Sequence, residues 1–225
     1  MFSEPPTTEF DLRFRVFGVP VRVHPLFWIV SLVLGWGPDD PRGMMLWVVA
    51  VFASILIHEM GHAVCARGLG SDPHVVLYSF GGLAIYQRGS KMTAWHDIAI
   101  AFCGPLAGFL LAGVAMGFFH AIGGPKNDVQ GQIYRDLWFI NVGWGLVNLL
   151  PVWPLDGGQI AYSFLDRVSP AQGAAIARGL SVIAAGLVAA YAFHAGEIYI
   201  YIALLFGYLA ILSLQGWGMP GRRYE

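Results

Sequence analysis

One apolar run of this chain carries the residues His58-Glu59-Met60-Gly61-His62. On a helix, positions four apart share a face, so both imidazoles can turn toward one metal ion. Glu59 stands beside the first imidazole, where its carboxylate can take a proton from water at that metal. Met60 and Gly61 are passive, although Gly61 lets a neighbouring helix approach closely. The competing reading is a polar helix face lining a bundle interior, its histidines neutral and hydrogen-bonded. Three ionisable side chains within one turn of an apolar segment each carry a desolvation cost, and no Lys or Arg is near enough to pair with all of them, which favours function. Two histidines still leave a tetrahedral zinc site incomplete, so a third protein ligand is required.

The elements that must hold such a site are membrane helices. Of 225 residues, 56% are hydrophobic and 12% charged, and the mean hydropathy is +0.60; ordinary soluble domains carry about 25% charged residues. Thirteen basic residues against fourteen acidic ones leave no nucleic-acid footprint. Cys65 and Cys103 lie in apolar runs and imply no disulfide framework. Nothing at the N-terminus resembles a signal peptide, so the spans themselves are expected to drive insertion. Apolar runs of roughly spanning length fall at 25–36, 44–66, 94–122, 133–150, 173–194 and 198–217, giving an all-α membrane protein of six transmembrane helices. The first is short: a twelve-residue helix reaches only ~18 Å. Residues 159–168 also read as helical before Ser169-Pro170 interrupts them. With the N-terminus inside, ten Lys and Arg residues fall on the cytoplasmic side (Lys91, Arg222 and Arg223 among them) and three outside, so both termini are expected in the cytoplasm.

That topology supplies a candidate third ligand. The fourth span ends in Asn148-Leu149-Leu150-Pro151-Val152-Trp153-Pro154-Leu155-Asp156-Gly157-Gly158, on the cytoplasmic side toward which the 58–62 turn also lies. The prolines break the helix and the glycines free the backbone, so Asp156 can turn inward. An aspartate opening a new helix is also an ordinary cap; beside the histidine motif, ligation is the stronger reading. Residues 72–90 read as strand, Gly81-Gly82 turn, strand: a re-entrant or interfacial β-hairpin near the cytoplasmic side. Residues 9–23 also have strand character.

These two motifs, HEMGH at 58–62 and NLLPVWPLDGG at 148–158, resemble those of the site-2 protease family of intramembrane zinc metalloproteases. The segment 18–27 (GVPVRVHPLF), Phe80-Gly81-Gly82 and Gly104-Pro105-Leu106 support the likeness, which runs from about residue 12 to 217. The resemblance implies a six-helix core over 25–217, a cytoplasmic N-terminal segment over 1–24 and a tail over 218–225. It also implies one Zn2+ per chain on His58, His62 and Asp156, with Glu59 as catalytic base. Asn148 is implied near the reacting centre, holding substrate backbone or the developing oxyanion, unless it serves only as an interhelical hydrogen bond; Gly81 and Gly82 are candidates for the same substrate contact. The expected reaction is hydrolysis of a peptide bond in or near the transmembrane segment of a single-span membrane protein, within a prokaryotic plasma membrane. The chain departs from many relatives in having Leu106 where they carry asparagine, and it shows no PDZ or CBS module.

Rival readings use the same ligands without hydrolysis, as in a metal transporter or metal sensor. Glu59 separates them, since transport has no evident need of a carboxylate beside the first ligand. A prenyl-protein processing protease would draw its third ligand from a glutamate, and the Asp156 motif argues against it. The first, fifth and sixth spans carry no catalytic residue and are candidates for a lateral gate. His24, His74, His96, His120 and His194 read as structural or interfacial.

Overall fold

A computed structural model describes residues 4–35, 37, 40–79, 81–89, 92–196 and 199–215. Phe80, Lys91, the ends of the first and sixth expected spans, Arg222, Arg223 and the expected tail 218–225 lie outside the described residues. The chain divides into two compact units, one comprising Glu4–Met92 with Cys103–Val147, the other Thr93–Phe102 with the chain from Asn148 onward.

The first unit begins with a hairpin, β1 (Leu12–Val16) and β2 (Val19–Val23), closed by Phe17 and Gly18. Both turn residues have positive φ, 48° and 78°, matching the right-handed twist of the strands it joins. A crossover through α1 (Pro25–Leu34) and α2 (Pro41–Gly68) leads to β3 (His74–Tyr78), which runs parallel to β2, and then β4 (Gly81–Ile85) completes a four-stranded sheet in the order β1-β2-β3-β4. Val19, Val21, Val23, Val75 and Leu77 pack on Phe27 of α1 and on Ala50, Val51, Met60 and Ala63 of α2. Behind the sheet, the buried guanidinium of Arg22 binds Glu4, Asp11 and the carbonyls of Pro5 and Pro6, so the segment before β1 is drawn across the back of the strands. Arg67, in the last turn of α2, donates to the Phe17 carbonyl at 2.7 Å and ties the hairpin tip to the helix end.

One expectation is corrected here. Tyr78 pairs with Gly81 and Leu77 with Gly82, so both glycines lie inside β4 and not in the turn. Ser79 takes the left-handed conformation at φ 48° that the glycines were expected to supply. The sheet joins the two strand-forming segments, 9–23 and 72–90, into one structure.

Among the described residues, three helices are long and apolar enough to cross a bilayer: α2, α3 (Ala94–Ala121) and α7 (Gly173–His194). At 28 residues α2 is ~42 Å long, more than a hydrocarbon core requires. The outward faces of these helices are apolar, with Val49, Val114 and Leu187 between 60% and 72% exposed. Most of the expected fourth span, 133–148 of 133–150, lies in a continuous helical run, α4 (Asp128–Trp138), a π-helical segment Phe139–Trp144 and α5 (Gly145–Asn148). It starts earlier than hydropathy suggested because Asn127 caps it, accepting from the Gln130 amide at 3.0 Å. In the π segment the buried Asn141 donates to Ser54 of α2 at 2.8 Å, a polar tie between apolar helices.

In the second unit, α6 (Asp156–Val168) is a helix separate from α7, and α7 pairs with α8 (Ile200–Gln215). The first helix, α1, has ten residues and is too short to span alone.

Candidate metal centre

On α2, His58 and His62 face the same way, with their Nε2 atoms 3.2 Å apart. Two nitrogens bound to one tetrahedral zinc at ~2.05 Å would stand ~3.3 Å apart, so the pair already has the spacing of two ligands on one ion. His62 is buried and His58 half-buried. Room for the His62 ring comes from α3: a Cβ at Gly104 would fall onto its Nε2. One residue earlier on each helix, a Cβ at Gly61 would meet the Cys103 carbonyl, so α2 and α3 touch through backbone at the level of the histidines.

Glu59 is 7% exposed and lies against Gly82 of β4. A Cβ on Gly82 would meet its Cγ, and would stand 2.7 Å from its Cδ and 2.8 Å from Oε1. Glycine at 82 therefore leaves the space that the Glu59 side chain fills. Around Gly81 the same construction meets nothing within 4 Å. Sequence reasoning placed both glycines in a turn; the structure places them in β4, with Gly82 against Glu59.

In the second unit, Asp156 is the first residue of α6 and 6% exposed. Leu155 occupies the capping position, so the ordinary capping alternative for Asp156 does not apply. Asn148 donates through Nδ2 to Asp156 Oδ2 at 2.7 Å, which holds the carboxylate in one orientation. Gly157 and Gly158 are required by close packing: a Cβ at 157 would strike the Leu149 carbonyl, and one at 158 would stand 2.6 Å from the Trp153 nitrogen. The loop thus folds back over the start of α6.

His58 and His62 of α2 offer two imidazole nitrogens, and Asp156 at the start of α6 offers a carboxylate oxygen. Two imidazole nitrogens and a carboxylate oxygen, backed by an amide donor, are a donor set that suits zinc. The other histidines near the strands and helix starts have different work. His24 caps α1, accepting from the Leu26 amide at 3.1 Å; His96 accepts from the Thr93 amide at 3.0 Å; His74 lies 3.3 Å from Glu4. Gly104 was quoted as part of a motif, but its service to His62 could not be read from spacing.

Among the described residues outside the membrane helices, Asp11 is the ionisable group most strongly shifted. Burial raises the Asp11 carboxyl, but hydrogen bonds from the Thr8 hydroxyl and amide, with the Arg22 guanidinium, outweigh it and hold the group well below the usual carboxylate range.

Comparison with known proteins follows the same outline. Residues 127–191 match the family model described as peptidase family M50. Over 214 residues the chain is 31% identical to a Synechocystis sp. protein whose name assigns it to the zinc metalloproteases, covering 88% of this chain and 52% of that protein. It is 28% identical over 161 residues to a zinc metalloprotease of Methanocaldococcus jannaschii, covering 68% and 45%. It is also 28% identical over 160 residues to stage IV sporulation protein FB of Bacillus subtilis, covering 68% and 50%. The chain thus spans about half the length of the curated relatives it matches. Among solved structures, the site-2 protease from Methanocaldococcus jannaschii superposes with a TM-score of 0.65 at 22% identity, over 96% of this chain and 99% of that one, a likeness of fold.

Proposed function

We propose that the chain is a member of peptidase family M50, the site-2 proteases, and an integral membrane zinc metalloprotease hydrolysing a peptide bond in or near the transmembrane segment of a single-span membrane protein. The observation that carries this reading is the buried Glu59 carboxylate next to two imidazoles whose Nε2 atoms are 3.2 Å apart. His58, His62 and Asp156 would hold the ion. Zinc held there supplies Lewis acidity, acidifying a water and polarising the scissile carbonyl. Glu59 accepts the proton of the attacking water and returns it to the leaving amine. The wall formed by Gly82 keeps that carboxylate from swinging away. Asn148 fixes the Asp156 carboxylate through the 2.7 Å hydrogen bond, and the low exposure of Glu59, His62 and Asp156 keeps bulk water from competing.

A transmembrane helix hides its carbonyls in its own hydrogen bonds, so substrate must be unwound before attack. β4 is an edge strand, and an extended substrate segment adding to it would lie along the strand that contacts Glu59. We infer six spans over 25–217 from hydropathy, and from the charge bias both termini, with the N-terminal segment 1–24, on the cytoplasmic side; the resemblance implies a prokaryotic plasma membrane.

The test is cleavage of a single-span substrate by the detergent-purified chain, with zinc content measured in parallel. Chelation should abolish cleavage and zinc should restore it. Glu59→Gln should lower the rate by 10²–10⁴ while zinc stays bound, the range typical for loss of a general acid–base group. A protein that binds zinc but cleaves nothing, with or without Glu59, would instead be a metal carrier or sensor.

A further inference from the structure

The helices α7 and α8 carry no group assigned to the chemistry, yet each buries a serine inside an apolar environment. Ser181 is 1% exposed and Ser213 is fully buried. A hydroxyl removed from water among membrane helices must find partners. These two find each other, with Oγ atoms 2.7 Å apart, and they find one residue of the loop that leads to Asp156. The Trp153 amide donates to Ser181 Oγ at 2.7 Å, and Ser213 Oγ donates to the Trp153 carbonyl at 3.5 Å.

The proton order in this ring follows from chemistry alone. An amide can only donate and a carbonyl can only accept, so Trp153 N–H gives to Ser181, Ser181 to Ser213, and Ser213 back to Trp153. The ring closes on the backbone of a residue three positions before Asp156. The loop between them has little slack: Val152 donates to the Leu150 carbonyl at 2.7 Å, Leu155 donates to the Val152 carbonyl at 2.8 Å, and Gly158 sits directly against Trp153. A shift of Trp153 is therefore passed to the start of α6.

We propose that Ser181 and Ser213 are positioning residues for the metal centre: through the Trp153 backbone they hold Asp156 where it can ligate, so that α7 and α8 set the geometry of the third ligand. This rests on the reading of Asp156 as a ligand, and the test separates the two. Cobalt substituted for zinc gives a visible absorption band that reports its coordination. In the cobalt-loaded full chain, Asp156→Ala should change that band. Ser181→Ala combined with Ser213→Ala should move it in the same direction and weaken cobalt binding about tenfold, as loss of an outer support typically does. Ser213→Cys keeps the side-chain shape with a slightly larger atom and weakens the donor; it should give a smaller shift of the same kind, and it stands as the decisive variant if the double one does not fold. Ala185→Gly alters another buried α7 position without touching the ring and should leave the band in place. If Asp156→Ala changes the band while the serine variants do not, the positioning role is overturned and the ligand reading survives. If Asp156→Ala leaves the band unchanged, both fall. A shift in Ala185→Gly as large as in the serine variants would also overturn the proposal, since loosened packing would then suffice.

Discussion

Replacing Gly82 by alanine tests the placement of Glu59 without touching any metal ligand. The new Cβ would lie 2.7 Å from Glu59 Cδ and 2.8 Å from Oε1, and closer still to Cγ, whereas ordinary contact begins at 3.4 Å. The conflict reaches the middle of the side chain, so rotating the carboxylate alone does not relieve it. Glu59 must withdraw by roughly 1 Å, a misplacement that costs on the order of 100-fold in rate, or about 2.7 kcal/mol of transition-state stabilisation. Single-turnover cleavage of a single-span substrate in detergent should show this loss, with zinc content unchanged by elemental analysis. Gly89→Ala, at a site that meets nothing within 4 Å, should stay within about twofold of the parent. Full activity in Gly82→Ala would refute the argument that Glu59 works from the position it occupies against β4. Loss of zinc from that variant would refute it equally, because it would show that the glycine supports the ligands and not the base.

Other consequences can be checked on the same preparation. Gly104→Ala drives a Cβ into the His62 ring and should weaken zinc binding at least tenfold, read by competition with a chelator of known affinity. Asn148→Ala removes the 2.7 Å hydrogen bond to Asp156 and should weaken zinc binding 10- to 100-fold, with a matching fall in cleavage at limiting zinc. The Asp11 carboxyl is depressed in the folded chain, so its ionisation stabilises the segment before β1 above the ordinary carboxylate pKa of 3.8, and that contribution is lost as pH falls below it. Hydrogen exchange over residues 4–23 should thus be faster in Asp11→Asn than in the parent at pH 6, and the gap should narrow from pH 4 downward. A gap that stays constant to pH 2.5 would contradict the shift.

What the sequence disclosed depended on whether the determining forces were local. The long apolar runs became α2, α3 and α7 because hydropathy over twenty residues reports burial in lipid directly. The histidine pair was legible because four-residue spacing fixes a helix face. Asp156 was reachable through the chain's topology; for Asn148 the sequence left open a substrate or oxyanion contact and a plain hydrogen bond, and its bond to Asp156 could not be read from spacing. The glycines were misread for a physical reason. Gly81-Gly82 is a strong turn signal, but the turn falls at Ser79 and glycine is needed at 82 for the width of the Glu59 side chain, a contact between residues 23 apart. The parallel pairing of β2 with β3 is likewise non-local, since some fifty residues of crossover separate the two strands. Ser181 and Ser213 sit alone in apolar helices, and nothing in their spacing points to Trp153.

The account depends most on which atoms surround the metal. X-ray absorption at the zinc edge of the purified, zinc-loaded chain should show one zinc per chain with two imidazoles and oxygen at about 2.0–2.2 Å, and Asp156→Ala should thin the oxygen shell and lower zinc occupancy. A sulfur shell near 2.3 Å, or a spectrum indifferent to the loss of Asp156, would contradict it.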